Sequence, residues 1–161
     1  MTNRNRGFSL LELMIVIGII AIIATLALPS KFGQVTQKRV VETVELVEPY
    51  KAQIAAYYLL HSGDFPEDNA AAGIPEPDQI IGNYLRKMEV RDGVMHLHLG
   101  QKLPKALHDK IISIRPVFVD DSLSTPISWV CGFSEVPSGM KAAGTNLTDV
   151  DRVMLPGRCR Y

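Results

Sequence analysis

From Phe8 to Leu28 the chain is apolar apart from Ser9, Glu12 and Thr25, and no Lys or Arg falls between Gly7 and Pro29. Such a run predicts a helix of about 21 residues and roughly 31 Å, close to the hydrocarbon thickness of a bilayer. Arg4 and Arg6 precede it, so the positive-inside rule places residues 1–7 in the cytoplasm and the chain after the span outside it. A secretory signal would have a shorter apolar stretch and a clearer cleavage site than Ala24-Thr25-Leu26-Ala27-Leu28-Pro29 offers. Beyond Pro29 the pattern turns amphipathic and stays helical to about His61. Val40, Val44, Val47, Ile54 and Tyr58 share one stripe, with Lys51 filling the gap and Glu42, Glu45 and Glu48 mostly off it. Pro29 and Pro49 each remove a backbone donor and should bend the helix. His61-Ser62-Gly63-Asp64-Phe65-Pro66 reads as its stop, with Gly63 suited to the C-cap, Pro66 blocking continuation and His61 complementing the dipole.

Residues 64–79, rich in Asp, Glu, Ala, Gly and Pro, read as a loop with a short helix beginning near Pro77. Leu85–Val90 and Val94–Leu99 flank Arg91-Asp92-Gly93, a hairpin signal. Ile111–Val119 reads as a third strand, with Pro116 pointing to an edge or a bulge, and Ile127–Gly132 as a fourth. Residues 133–160 show no clear periodicity. The expected fold is α+β, a long N-terminal helix packed on a four-stranded antiparallel sheet.

Composition narrows the function classes. The 161 residues carry 17 Lys plus Arg and 17 Asp plus Glu, so bulk charge does not point to a polyanion partner, and 47% hydrophobic content excludes overall disorder. Charge is uneven along the chain. Glu42, Glu45, Glu48, Asp64, Glu67, Asp68, Glu76 and Asp78 face only Lys51 within residues 40–80, net −7. Arg86, Lys87, Arg91, Lys102, Lys105, Lys110 and Arg115 outnumber Glu89, Asp92 and Asp109 within residues 84–116, net +4. One subunit's acidic helix and loop could thus face another's basic sheet. Two cysteines, Cys131 and Cys159, are too few for a disulfide framework or a four-cysteine zinc site. Both lie outside the cytoplasm by the topology above. A disulfide is the default there, and closing about 29 residues is worth roughly 3–4 kcal/mol on the chain-entropy model. Free thiols or a metal pair are the alternative.

Glu12 is the residue an ordinary anchor does not need. A carboxylate inside a span costs on the order of 3 kcal/mol and usually has a partner. Cleavage after Gly7 would give Phe8 a free ammonium one turn away, on the same chain or on a neighbour. The run Arg6-Gly7-Phe8-Ser9-Leu10-Leu11-Glu12-Leu13-Met14-Ile15-Val16-Ile17 resembles the prepilin motif of type IV pilins and pseudopilins. The resemblance implies removal of leader 1–7 by a membrane aspartyl prepilin peptidase, N-methylation of Phe8 and a role for Glu12 in subunit assembly. It also implies that 8–28 is first a transmembrane helix and then a filament core, with 29–161 the extracytoplasmic globular domain. One departure is that Gly18 is the only glycine of the span, whereas the family's helix-breaking glycine falls where Ala21 stands here. Trp129-Val130-Cys131-Gly132 and Leu155-Pro156-Gly157-Arg158-Cys159-Arg160 resemble the C-terminal region of type IV pilins, where a disulfide bounds a surface loop.

Other chemistry is sparse. His96 and His98 alternate on a strand and with His108 could bind a metal, although satisfied or exposed histidines are the expectation, and no metal or cofactor is expected. Asp120-Asp121 reads as a turn pair, and Asn146-Leu147-Thr148 matches the N-glycosylation pattern, which arises often by chance. No phosphate loop, nucleophile elbow or zinc-protease motif is present, so an enzyme is not expected. Arg86, Lys102 and Lys105 could neutralise DNA phosphates, but no clustered aromatics accompany them. The expected protein is a major-type subunit of a type IV pilus, serving adhesion, twitching motility or DNA uptake. It is an inner-membrane precursor that becomes an extracellular filament. Its expected partners are its own copies, the prepilin peptidase and methyltransferase, the pilus assembly machinery, and membrane lipid before assembly, with DNA as a further candidate. A minor or DNA-binding competence pilin and a secretion pseudopilin are the alternatives.

Overall fold

A computed structural model describes residues 9–120 and 122–161, with the side chains of 26–32 outside the description. The chain divides into two units, one ending at Val35 and one spanning Thr36–Tyr161. Helix α1 runs Leu10–Leu46 and helix α2 runs Glu48–Leu60. Pro29 lies within α1. Pro49 sits in the first turn of α2, where its missing N–H would have had no helical acceptor, so the predicted bend at this proline is a break at Val47 followed by a restart. Among the described residues no helix is long and apolar enough to cross a membrane. The expected span 8–28 reaches past them, since Phe8 and the side chains of 26–28 lie outside the description.

In the second unit the predicted stripe is the core. Val40, Val44, Val47, Ile54 and Tyr58 are buried. The helix stops as the local residues dictate. Ser62 and Gly63 turn to φ 55° and 99°, and the N–H groups of His61 and Gly63 cap the carbonyls of Tyr57 and Tyr58. A 3₁₀ turn at Pro77–Gln79 matches the short helix expected there.

The sheet comprises β1 (Leu85–Arg91), β2 (Val94–Leu99), β3 (Ile111–Phe118), β4 (Ser128–Cys131) and β5 (Lys141–Ala142). All pairings are antiparallel in the order β1-β2-β3-β4, with β5 also on β3. Arg91 pairs with Val94, so the hairpin turn is the two residues Asp92 and Gly93, both at positive φ as a tight primed turn requires. Met88, Val90, Met95, Leu97, Leu99, Ile112 and Ile114 form the inner face, in one core cluster with Val40, Val44, Val47 and Ile54.

Pro116 corrects the edge reading. Strand β3 is internal, because Ile114 pairs with both Met95 of β2 and Cys131 of β4. The proline is tolerated because β2 begins only at Val94 and β5 takes over this side of β3 only at Val117. Between them the Pro116 carbonyl accepts from Ala143 N at 2.9 Å, and no donor is required of the ring nitrogen.

Asn69 staples the 64–79 loop to β1. Its amide nitrogen donates to the carbonyls of Pro75 (2.8 Å) and Met88 (3.2 Å), and its oxygen accepts from Val90 N at 2.7 Å. The residue is only 3% exposed, so Asn69→Ala leaves buried backbone groups unpaired. A loss of about 2–3 kcal/mol is expected in chemical denaturation, with no change in disulfide content.

Candidate functional site

The first unit presents apolar surface. From Leu10 to Ile23 every large apolar side chain of α1 is exposed, from Val16 at 43% to Leu10 at 77%. Glu12 lies in the first helical turn, exposed and without an ion pair among the described residues. A carboxylate there complements the positive end of the helix dipole. An added Cβ at Gly18 would meet nothing within 4 Å, so the chain itself imposes no need for glycine at this position. Gly7 and Phe8, the expected cleavage pair, lie outside the described residues.

At the other end Cys131 and Cys159 are joined in a disulfide and buried. The chain is tightly packed just after the first cysteine. Gly132 has φ 59°, and a Cβ there would lie 2.7 Å from the Cys159 carbonyl oxygen, so only glycine fits. Phe133 N donates to that same oxygen.

Beyond β5, the segment between the cysteines is clipped to the sheet chiefly by polar side chains. Asp149 Oδ1 accepts from Ile111 N at 2.6 Å, and its other oxygen meets Lys110 Nζ at 3.0 Å. Thr148 Oγ1 accepts from Ser113 N, and Leu147 N donates to Ser113 Oγ. Asn146 donates to the Gly132 carbonyl and accepts from Thr148 N. The glycosylation-like triplet is therefore occupied as a docking clip. The C-terminus closes similarly. Arg160 donates to the carbonyls of Leu155 and Val153, Arg152 donates to the Arg160 carbonyl, and Gln37 of α1 donates to Val153.

His96 and His98 do share the outer face of the sheet, but each has its own partner. His96 Nδ1 lies 3.0 Å from Ser113 Oγ, His98 Nε2 lies 3.6 Å from Glu89, and His108 Nε2 donates to the Leu103 carbonyl. No group of three metal-ligating side chains occurs among the described residues. Burial pushes the His96 imidazole down to about 4 and also lowers His98, in the latter case reinforced by Lys87 and opposed by Glu89. The Glu89–His96–Ser113 row has the side-chain types of a hydrolase triad. Ser113 is fully buried, however, and its oxygen already accepts a backbone N–H, so it is no nucleophile. Asp120 pairs with Lys141, and Asp121 lies outside the described residues.

Of the DNA candidates, Arg86 pairs with Asp109 at 3.2 Å, while Lys102 and Lys105 stand exposed on the β2–β3 connection. The basic stretch is further offset within the chain by Arg91–Glu89 and Lys110–Asp149. The sequence reading did not anticipate the clip residues Ser113, Thr148 and Asp149. Their partners lie 34 to 38 residues apart, and no local spacing signals them.

The chain matches two family models, the prokaryotic N-terminal methylation motif over residues 2–28 and the bacterial filament pilin over residues 38–160. It belongs to the type IV pilins.

Relatives of this pilin agree. The type IV major pilin protein PilE1 of Neisseria gonorrhoeae is 32% identical, the alignment covering 99% of this chain and 89% of the relative. A fimbrial protein of Neisseria meningitidis serogroup B is 31% identical over 99% and 96%. The prepilin peptidase-dependent protein D of Escherichia coli K12 is 33% identical over 59% and 64%. The chain is thus a structural filament subunit and not an enzyme, and it fits a pilus filament at the cell surface. Nothing in these matches favours the competence-pilin or pseudopilin alternatives. For the pilin's disulfide, replacing both Cys131 and Cys159 by Ser should cost about 3–4 kcal/mol. The loss would read as a lower denaturant midpoint and as faster proteolysis within residues 133–158.

Proposed function

We propose that this pilin is made as an inner-membrane precursor with residues 1–7 in the cytoplasm. It is cleaved between Gly7 and Phe8, N-methylated at Phe8, and polymerised as the major subunit of a type IV pilus. The observation that carries the reading is the apolar helix with a single acid in its first turn, lying within the residues matched by the methylation motif. That helix leaves apolar surface on all sides, which lipid covers before assembly and sister helices cover afterwards. In a filament core Glu12 has one cation to meet, the new amine of Phe8 on a neighbouring copy. The pairing sets the axial register between subunits. Prepilin peptidase, its methyltransferase activity and the inner-membrane assembly machinery are the partners this route requires.

The filament so built serves adhesion and twitching motility. For DNA uptake the available cations are Lys102 and Lys105, with Arg86 once freed from Asp109. Acidic residues of the 64–79 loop meeting these lysines on a neighbouring subunit would add a salt-sensitive contact.

Mass spectrometry of sheared surface fibres tests the main reading. The expected chain is abundant, begins at Phe8, carries one extra methyl and is two hydrogens lighter than its reduced form. A chain retaining Met1–Gly7 in fibres would refute it. Glu12→Ala should leave a membrane pool and strip the cell of fibres, whereas normal fibre yield contradicts the pairing. Retention of purified filaments on DNA at low salt, lost in a Lys102→Glu, Lys105→Glu variant and falling steeply with added salt, is expected if these residues hold DNA.

A further inference from the structure

His96 is 2% exposed and Ser113 is fully buried, both on the outer face of a sheet whose core lies on the other side. What covers them is the C-terminal segment. At Gly144, φ 55°, an added Cβ would lie 2.5 Å from Val94 Cγ2 and 3.3 Å from the Asp92 carbonyl oxygen, so the chain passes tightly over the β1–β2 turn. Three residues later Leu147 N–H donates to Ser113 Oγ at 2.9 Å, and that oxygen lies 3.0 Å from His96 Nδ1. With Nδ1 unprotonated, the Ser113 hydroxyl donates to it, and the bonds run from Leu147 N–H to Ser113 and from Ser113 O–H to a neutral His96.

We infer that Leu147, Ser113 and His96 form an acid-sensitive latch, whose protonation at His96 releases residues 144–149 from the sheet while the Cys131–Cys159 bond keeps the segment tethered.

Protonation reverses the relay. Nδ1–H then donates to Ser113 Oγ, and the hydroxyl proton loses the acceptor it had in a buried place. The charges around the ring do not compensate. Glu89 lies directly across on β1 but is already held by Arg91 through two hydrogen bonds, and Arg91 and His98 oppose a second positive charge. Asp92 at the turn favours it weakly, Arg115 shares the face on β3, and Asp149 is the titratable group of the segment itself. Lifting the segment returns His96 to water and to its ordinary value of 6.5, against about 4 when covered.

The sign follows. Between those values the opened form binds a proton that the closed form does not. Each unit of falling pH therefore raises the opened fraction about tenfold, with the full hold present above 6.5 and no further change below 4. The inference concerns the folded subunit and does not depend on cleavage at Gly7 or on which task the pilus performs.

Amide exchange on the full chain in detergent micelles tests it. The protection of Leu147 N–H, corrected for the intrinsic pH dependence, is compared with that of β2–β3 ladder amides such as Leu97. The expected result is a fall of about tenfold per unit from pH 6.5 to about 4 at Leu147, with the ladder amides holding. His96→Gln should flatten that dependence, and Asp149→Asn should preserve it. Unchanged protection in the wild type, or a response abolished by Asp149→Asn and kept in His96→Gln, overturns the latch. If His96→Gln misfolds, the ring-proton titration of His96 in the wild type decides. A midpoint near 4, at the foot of a fall in Leu147 protection that begins near 6.5, supports the latch, and an ordinary midpoint overturns it.

Discussion

Eleven large apolar side chains between Leu10 and Ile23 find no cover within their own subunit. At about 2 kcal/mol each they represent on the order of 20 kcal/mol of exposure, more than the entire folding stability of an ordinary domain. A helix of this kind is tolerable only in lipid or among other helices. The remaining architecture follows from that surplus. The chain must supply a second, self-sufficient unit that stays folded whichever environment the helix occupies. The Thr36–Tyr161 unit meets that need by burying the stripe Val40, Val44, Val47, Ile54 and Tyr58 within its own core. Within one continuous helical stretch, apolar residues on all sides mean assembly and apolar residues on one side mean folding. The carboxylate of Glu12 stands in the first turn of this apolar part, exposed and without an ion pair among the described residues.

The second unit is held differently at its two faces. Inside, aliphatic side chains from helix and sheet interlock. Outside, the disulfide-bounded segment is docked by Asp149, Thr148, Asn146 and Leu147 onto the backbone and hydroxyl groups of β3 and the Gly132 carbonyl. Each such bond is worth about 1 kcal/mol net, which makes residues 144–149 the part of the segment most readily lifted, while Val150 and Leu155 stay in the core. The cysteine pair sits where these regimes meet, Cys131 at the end of β4 and Cys159 in the final turn. It limits how far an opened segment travels. The segment is not wholly superficial, since its Val150 and Leu155 belong to the core cluster.

Legibility in the sequence tracked the range of the interactions. The helical stripe, the Gly63 stop, the Asp92-Gly93 turn and four strands were readable because period and turn chemistry act over a few residues. Strand β5 was not, since Lys141–Ala142 is too short to show alternation. Pro116 misled because a proline reports only that one side of a strand lacks a donor requirement. Here that side is the gap between β2 and β5 rather than an open edge. Asn69, Ser113 and Asp149 act through partners distant in sequence, and nothing near them distinguishes a structural polar residue from a solvated one. At the N-terminal end the methylation motif was legible because it is written in consecutive residues.

His96 shows why the outer face was the harder to read. Strand alternation correctly put His96 and His98 on one face, and from that alone a metal pair and a solvated pair look alike. What separates them is the covering segment. Beside His96 it brings the backbone N–H of Leu147 to Ser113, and at Gly144 it passes tightly over Val94, while its one carboxylate, Asp149, is committed to Ile111 N and Lys110. Burial under that segment is the main reason His96 stays neutral, and Leu147 N–H and Ser113 complete the polar contacts beside it. The state of one imidazole thus depends on a stretch of chain about 50 positions away, and through it pH bears on the surface loop.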